Sequence, residues 1–111
     1  MLKKTNLSIV IPVHNEEENV VRLYEELMNI IPALDLTYEI IFIDDGSTDS
    51  TFKKLKDVKG NHLRIVQFQR NYGKAAALSY GFREARGEYI ITMDGDLQDD
   101  PKEIPKFLLS L

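Results

Sequence analysis

Four short apolar runs set the terms for this chain: Leu7 to Val13, Tyr38 to Ile43, Leu63 to Phe68 and Tyr89 to Met93. Each is rich in β-branched residues, and each is followed by a polar loop and then by apolar residues at helical spacing. The connections are too long for hairpins. A parallel sheet with helices on its faces is the economical solution, an α/β half-sheet. Ligands of such sheets lie outside the carboxyl ends of the strands, near the point where strand order reverses. The polar clusters of this chain follow the strands at those ends.

Taken in order, the first helix runs from Val20 to Ile31, with Glu16, Glu17 and Glu18 favouring its positive end and Pro32 closing it before a turn at Asp35. Ser47 is placed to cap a second helix reaching Lys56. A third helix spans Lys74 to Ala85 and stops at Gly87, with the alanine run Ala75 to Ala77 suited to close packing. Asp100, Pro101, Lys102 and Glu103 read as the N-cap and first turn of a last helix that carries Ile104 to Leu109. Within 111 residues no linker, low-complexity segment or repeat of fixed period marks a boundary, so a single domain is expected.

Composition narrows the function. Fourteen basic against eighteen acidic residues give a net charge of −4, which argues against a nucleic-acid surface. No cysteine is present, which excludes disulfides, zinc thiolate sites and thiol catalysis and fits a cytoplasmic setting. No apolar segment approaches the twenty residues of a membrane span, and the amino terminus shows no signal-peptide pattern.

The chemistry concentrates in Met93-Asp94-Gly95-Asp96-Leu97-Gln98-Asp99-Asp100-Pro101. If the backbone stays extended beyond the fourth strand, Asp94, Asp96 and Gln98 point to one side, with alternate Cα atoms roughly 6.6 Å apart. Their oxygens are hard ligands suited to Mg2+ or Mn2+, and such a metal can hold phosphates. Asp and Gly after a strand also make an ordinary polar turn. The other loops add Pro12, His14, Asn15 and Glu16 after the first strand, Asp44 and Asp45 after the second, and Arg70, Asn71 and Lys74 after the third. A carboxylate near Asp45 can accept hydrogen bonds from a nucleoside, and Lys74 at a helix start can add positive charge near phosphates. Together the four loops read as a nucleotide-diphosphate site.

Four stretches carry a family resemblance: Ile11 to Glu17 (IPVHNEE), Asp44 to Asp49 (DDGSTD), Arg70 to Lys74 (RNYGK) and Met93 to Pro101 (MDGDLQDDP). In this order and spacing the chain resembles the inverting family 2 glycosyltransferases of GT-A fold, and within them the polyprenyl-phosphate branch that includes dolichyl-phosphate mannosyltransferase. The resemblance implies a Rossmann-like half of a GT-A fold. It implies that Pro12, His14, Asn15, Glu16, Asp45, Lys74 and Asp94 line the donor pocket, and that Asp94, Asp96 and Gln98 bind Mg2+ or Mn2+. The substrates it implies are a UDP- or GDP-linked sugar and a polyprenyl phosphate, and it names no catalytic base. His14 stands where the family more often has tyrosine. Relatives continue into an acceptor-binding half and often into membrane segments at the cytoplasmic face. The expectation is therefore one nucleotide-sugar-binding domain over residues 1–111, ending before that half and inactive in transfer when isolated.

Two other function classes fit parts of the pattern. One is a non-catalytic nucleotide-sugar-binding module. The other is a receiver-type signalling domain, whose acidic pair follows the first strand, whereas here it follows the second. With the strand order 3-2-1-4, the fourth strand forms an edge whose Ile90 and Ile91 invite pairing with a second copy, so a homodimer is a further expectation.

Overall fold

The computed structural model describes residues 5–96 and 100–109. Strands β1 (Leu7–Val13), β2 (Tyr38–Asp44), β3 (Leu63–Gln67) and β4 (Tyr89–Thr92) alternate with helices α1 (Val20–Met28), α2 (Thr51–Asp57), α3 (Lys74–Glu84) and α4 (Glu103–Leu109). All strand pairs are parallel, and the order is β3-β2-β1-β4, as the sequence implies.

Alternation along the strands divides the core into two layers. Leu7, Ile9, Ile11 and Val13 of β1 join Ile40 and Phe42 of β2, and on this face they meet Val20, Leu23 and Leu27 of α1, Leu55 of α2 and Ile104 of α4. Val10, Ile41 and Ile43 point to the other face, where Ala77 of α3 packs. Both central strands are thus covered on both sides, which explains their predominantly apolar sequences, broken by Ser8 and Glu39 near the amino ends. The three fully buried α1 side chains each contribute about 1.5–3 kcal/mol of transfer free energy.

Several local expectations are corrected. Helix α1 ends at Met28, and Pro32 sits instead in a short 3-10 turn, Ile31–Leu34, followed by Asp35 in the left-handed region. The acidic trio lies before α1, whose N-cap is Asn19. Glu17 serves α2 instead: its carboxylate accepts from the Ser50 N–H (3.1 Å), and its carbonyl accepts from Lys54 Nζ (2.9 Å). Ser47 does not cap α2, whose N-cap is Ser50; Asp49, just before it, accepts from the N–H (2.9 Å) and hydroxyl of Thr51, the first helical residue. Ala75 and Ala76 are exposed, leaving Ala77 as the packing residue of that run. Asp100 accepts from the Lys102 N–H at 3.0 Å, and the helical turns begin only at Glu103.

One polar cluster lies under the amino ends of the strands, opposite the loops of interest. Glu39 is 7% exposed; it accepts from Ser8 Oγ (2.6 Å), Arg64 Nη1 (2.9 Å) and the Arg86 N–H (2.7 Å). Arg64 also reaches the Glu84 carbonyl and carboxylate, and the Gly87 N–H donates to Ser8 Oγ. The cluster fastens the end of α3 to β1, β2 and β3. Burial pushes the Glu39 carboxyl up, but the hydrogen bonds from Ser8, Arg86 and Arg64, with the Arg64 charge, outweigh it and hold the group below its ordinary value of 4.5. A depressed folded pKa means stability that is present above the unfolded value and lost as pH falls through the folded one. Glu39→Gln should therefore lower stability at pH 7 by on the order of 2 kcal/mol and flatten the acid side of the profile. Urea unfolding of both proteins at pH 7 and pH 4 measures this; an equal loss between the two pH values in both would contradict it.

Strand β4 is an edge: Tyr89 and Ile90 are exposed, and Ile91 is partly covered. Among the described residues no helix is long and apolar enough to cross a membrane.

Candidate functional site

The carboxyl ends of β1, β2 and β4 and the start of α3 surround an open cleft of about 340 Å3, lined by Pro12, Val13, His14, Glu16, Asp45, Lys74, Asp94, Gly95 and Asp96. It lies where the order of strands reverses, between β1 and β4. Six of the seven residues expected to contact a donor line it, and so does Asp96. Asn15 does not, and Gln98 and Asp99 lie outside the described residues.

Asn15 has another task. It takes φ 52°, a left-handed conformation that asparagine tolerates better than most residues, and its Oδ1 accepts from the Thr48 N–H at 2.8 Å and the Asp49 N–H at 3.3 Å. Its own N–H donates to Ser47 Oγ (2.9 Å), while the Glu16 N–H donates to Thr51 Oγ1 (2.9 Å). These bonds lock the loop after β1 to the loop after β2. Asn15 thus shapes the cleft from behind.

Asp45 is 4% exposed, and each of its oxygens takes a backbone donor: the Tyr72 N–H at 2.7 Å and the Gly73 N–H at 3.0 Å. The carboxylate therefore clamps the loop that delivers Lys74, and only its remaining lone pairs face a ligand. His14 completes the wall. Its Nδ1 lies 2.8 Å from the Asp45 carbonyl, which can only accept, so Nδ1 carries the proton. In the neutral ring Nε2 is then an acceptor, and the Asn71 side-chain amide, 3.1 Å away, donates to it. One imidazole links the loops after β1, β2 and β3. Arg70 instead lies 4.8 Å over the exposed Tyr72 ring, and it does not line the cleft.

Beyond β4 the chain does not stay extended as expected; it turns at Gly95 and Asp96. The turn passes so close to β1 that a Cβ on Gly95 would come 2.4 Å from Val13 Cγ1. Asp94 and Asp96 nevertheless both face the cleft, and Asp94 pairs with Lys74. Four carboxylates and a single ammonium thus line the cavity among the described residues.

Such a lining repels a bare diphosphate and attracts a cation. Among the described residues no three acidic or imidazole side chains form a closed metal cage. Two carboxylates on an open wall suit Mg2+ or Mn2+, which commonly keep positions for water and substrate phosphates. The Lys74 ammonium, a cation already seated on Asp94, fits that assignment.

Comparison with known proteins points the same way. The profile described as "Glycosyl transferase family 2" matches residues 8–111. The chain is 40% identical over 109 residues to the undecaprenyl-phosphate 4-deoxy-4-formamido-L-arabinose transferase of Proteus mirabilis, covering 96% of this chain and 33% of the relative. It is 43% identical to the dodecaprenyl-phosphate galacturonate synthase of Rhizobium johnstonii, covering 99% and 33%. The chain therefore spans about a third of the length of these relatives. Among solved structures, S. aureus TarS in complex with UDP-GlcNAc superposes with a TM-score of 0.76 at 24% identity, over 96% of this chain and 30% of that one, a likeness of fold. A mannosyltransferase from Pyrobaculum calidifontis, in complex with GDP-Man and Mn2+, gives 0.67 at 27% identity, over 85% and 28%. A GT-A sheet in the order 3-2-1-4, a carboxylate-lined cleft at its switch point and a profile match over nearly the whole chain agree: this chain belongs to glycosyl transferase family 2.

Proposed function

We propose that this chain is the donor-binding part of an inverting glycosyltransferase that moves a sugar from a UDP- or GDP-sugar to a polyprenyl phosphate. The observation that carries the reading is the acidic cleft at the switch point, where Asp94 and Asp96 face the same cavity as Pro12, His14, Glu16 and Asp45. Mg2+ or Mn2+, when bound, supplies the positive charge that stabilises a departing nucleoside diphosphate. Asp94 and Asp96 would hold it, with Gln98 a further ligand implied by the family pattern. Pro12, His14, Glu16 and the free lone pairs of Asp45 form the wall for the nucleoside. Lys74 adds charge beside the phosphates. An anionic phosphate acceptor needs no strong general base, so the cleft's task is to bind and orient the donor. The polyprenyl acceptor is supported by the names of the relatives, and the metal by the mannosyltransferase structure with Mn2+.

Calorimetric titration with UDP- and GDP-sugars in Mn2+, in Mg2+ and in chelator tests this. One nucleotide series should bind in metal and lose most of its affinity in chelator. Binding indifferent to chelator, or none in any condition, would overturn the reading.

A further inference from the structure

We propose that the Lys74 ammonium is a built-in placeholder for the divalent cation: it pairs with Asp94 until a metal takes the carboxylate, and is then handed to the donor phosphates. This rests on the donor-site reading above and adds an exchange that the reading does not require. The two ends of Lys74 are held very differently. Its backbone opens α3 directly after Tyr72 and Gly73, whose N–H groups are clamped by the buried Asp45 carboxylate. Its side chain is 60% exposed and is paired with an Asp94 side chain that is 35% exposed. An ion pair this open to water is weak, so a divalent ion can displace it, while the anchored base keeps the freed ammonium at the rim.

Electrostatics sets the direction of the exchange. Without a cation, Asp94 and Asp96 face one cavity that also holds Glu16 and Asp45, and the ammonium relieves their repulsion. A metal on Asp94 repels the ammonium from that carboxylate, and a diphosphate attracts it. By linkage, each ligand strengthens the other through Lys74, because the metal frees the lysine for phosphate and phosphate draws the lysine off the metal's ligand.

Lys74→Met tests the exchange, since an exposed side chain is replaced and the fold is checked by its circular dichroism. Mn2+ binding without nucleotide, read from the spin resonance of free Mn2+, should become about tenfold tighter, as expected when a unit charge within a few Å of the ion is removed. Affinity for UDP or GDP at saturating Mn2+ should become about tenfold weaker. A merely structural role would weaken both. Lys74→Arg keeps the charge and should leave Mn2+ affinity close to that of the original chain. Unchanged or weaker Mn2+ binding by Lys74→Met would overturn the placeholder while leaving the donor-site reading intact. Absence of Mn2+ binding in every protein, with or without nucleotide, would overturn both.

Discussion

Asp96→Ala should reduce metal-dependent binding of the sugar nucleotide by on the order of 100-fold in a protein that remains folded. Asp96 is partly exposed on a turn at the cleft, outside both core layers, so its removal opens no cavity. What it removes is one of the two carboxylates on the wall beside Lys74. A metal that loses one of two protein ligands keeps its waters and phosphates but loses the charge that holds it to the chain, and outer-shell losses alone cost 10–100-fold. Binding should become insensitive to chelator, because the metal contribution has gone. Titration of the variant beside the original chain, with thermal unfolding as the control for folding, checks this. Retained chelator sensitivity in Asp96→Ala would move the metal elsewhere.

Gly46→Ala should damage both stability and binding. Gly46 follows Asp45 with φ +65°, and a Cβ there would lie 2.2 Å from the Arg70 carbonyl carbon and 2.3 Å from the Asn71 nitrogen. Both are backbone atoms and cannot rotate aside. Left-handed backbone costs an alanine about 1–2 kcal/mol, and separating the two loops adds to it, so a loss of about 3 kcal/mol or more is expected. The loop pushed away is the one that Asp45 clamps and that carries Lys74 into the cleft. Donor affinity should therefore fall even where the variant remains folded. Denaturant unfolding gives the first quantity and titration the second; an alanine tolerated within 1 kcal/mol would show that the loops yield.

Much of this architecture is written in local pattern. β1 and β2 read as largely apolar runs because both of their faces are covered, and the loops follow from the polar residues after them. The rim residues were legible for the same reason, since a parallel sheet puts every post-strand loop on one edge. Pairings between distant residues left no such mark. The link from Asp45 to the Tyr72 and Gly73 backbone spans 27 and 28 residues, and a backbone donor has no side-chain signature. Glu39 sits in the run YEIIFI like any polar residue on a half-exposed strand; only the fold reveals that Ser8, Arg64 and Arg86 surround it. Ser47 looked like a helix cap because serine often is one. The Asn15 N–H claims its hydroxyl, and α2 starts instead from Ser50, with Asp49 bonded to the Thr51 N–H. Asn15 carried the family's donor-site pattern, yet its side chain is spent on joining two loops.

If the cleft between β1 and β4 binds a nucleoside diphosphate through a divalent ion, that ion must sit beside Asp94 and Asp96. Paramagnetic broadening of amide signals by Mn2+, with UDP or GDP present and the chain labelled with 15N, locates that ion directly. The Val13, His14, Lys74, Asp94, Gly95 and Asp96 signals should be lost, and those of Asn6, Thr37, His62 and Glu88 at the other end of the sheet retained. Broadening centred on that other end, or spread evenly over the chain, would contradict that placement.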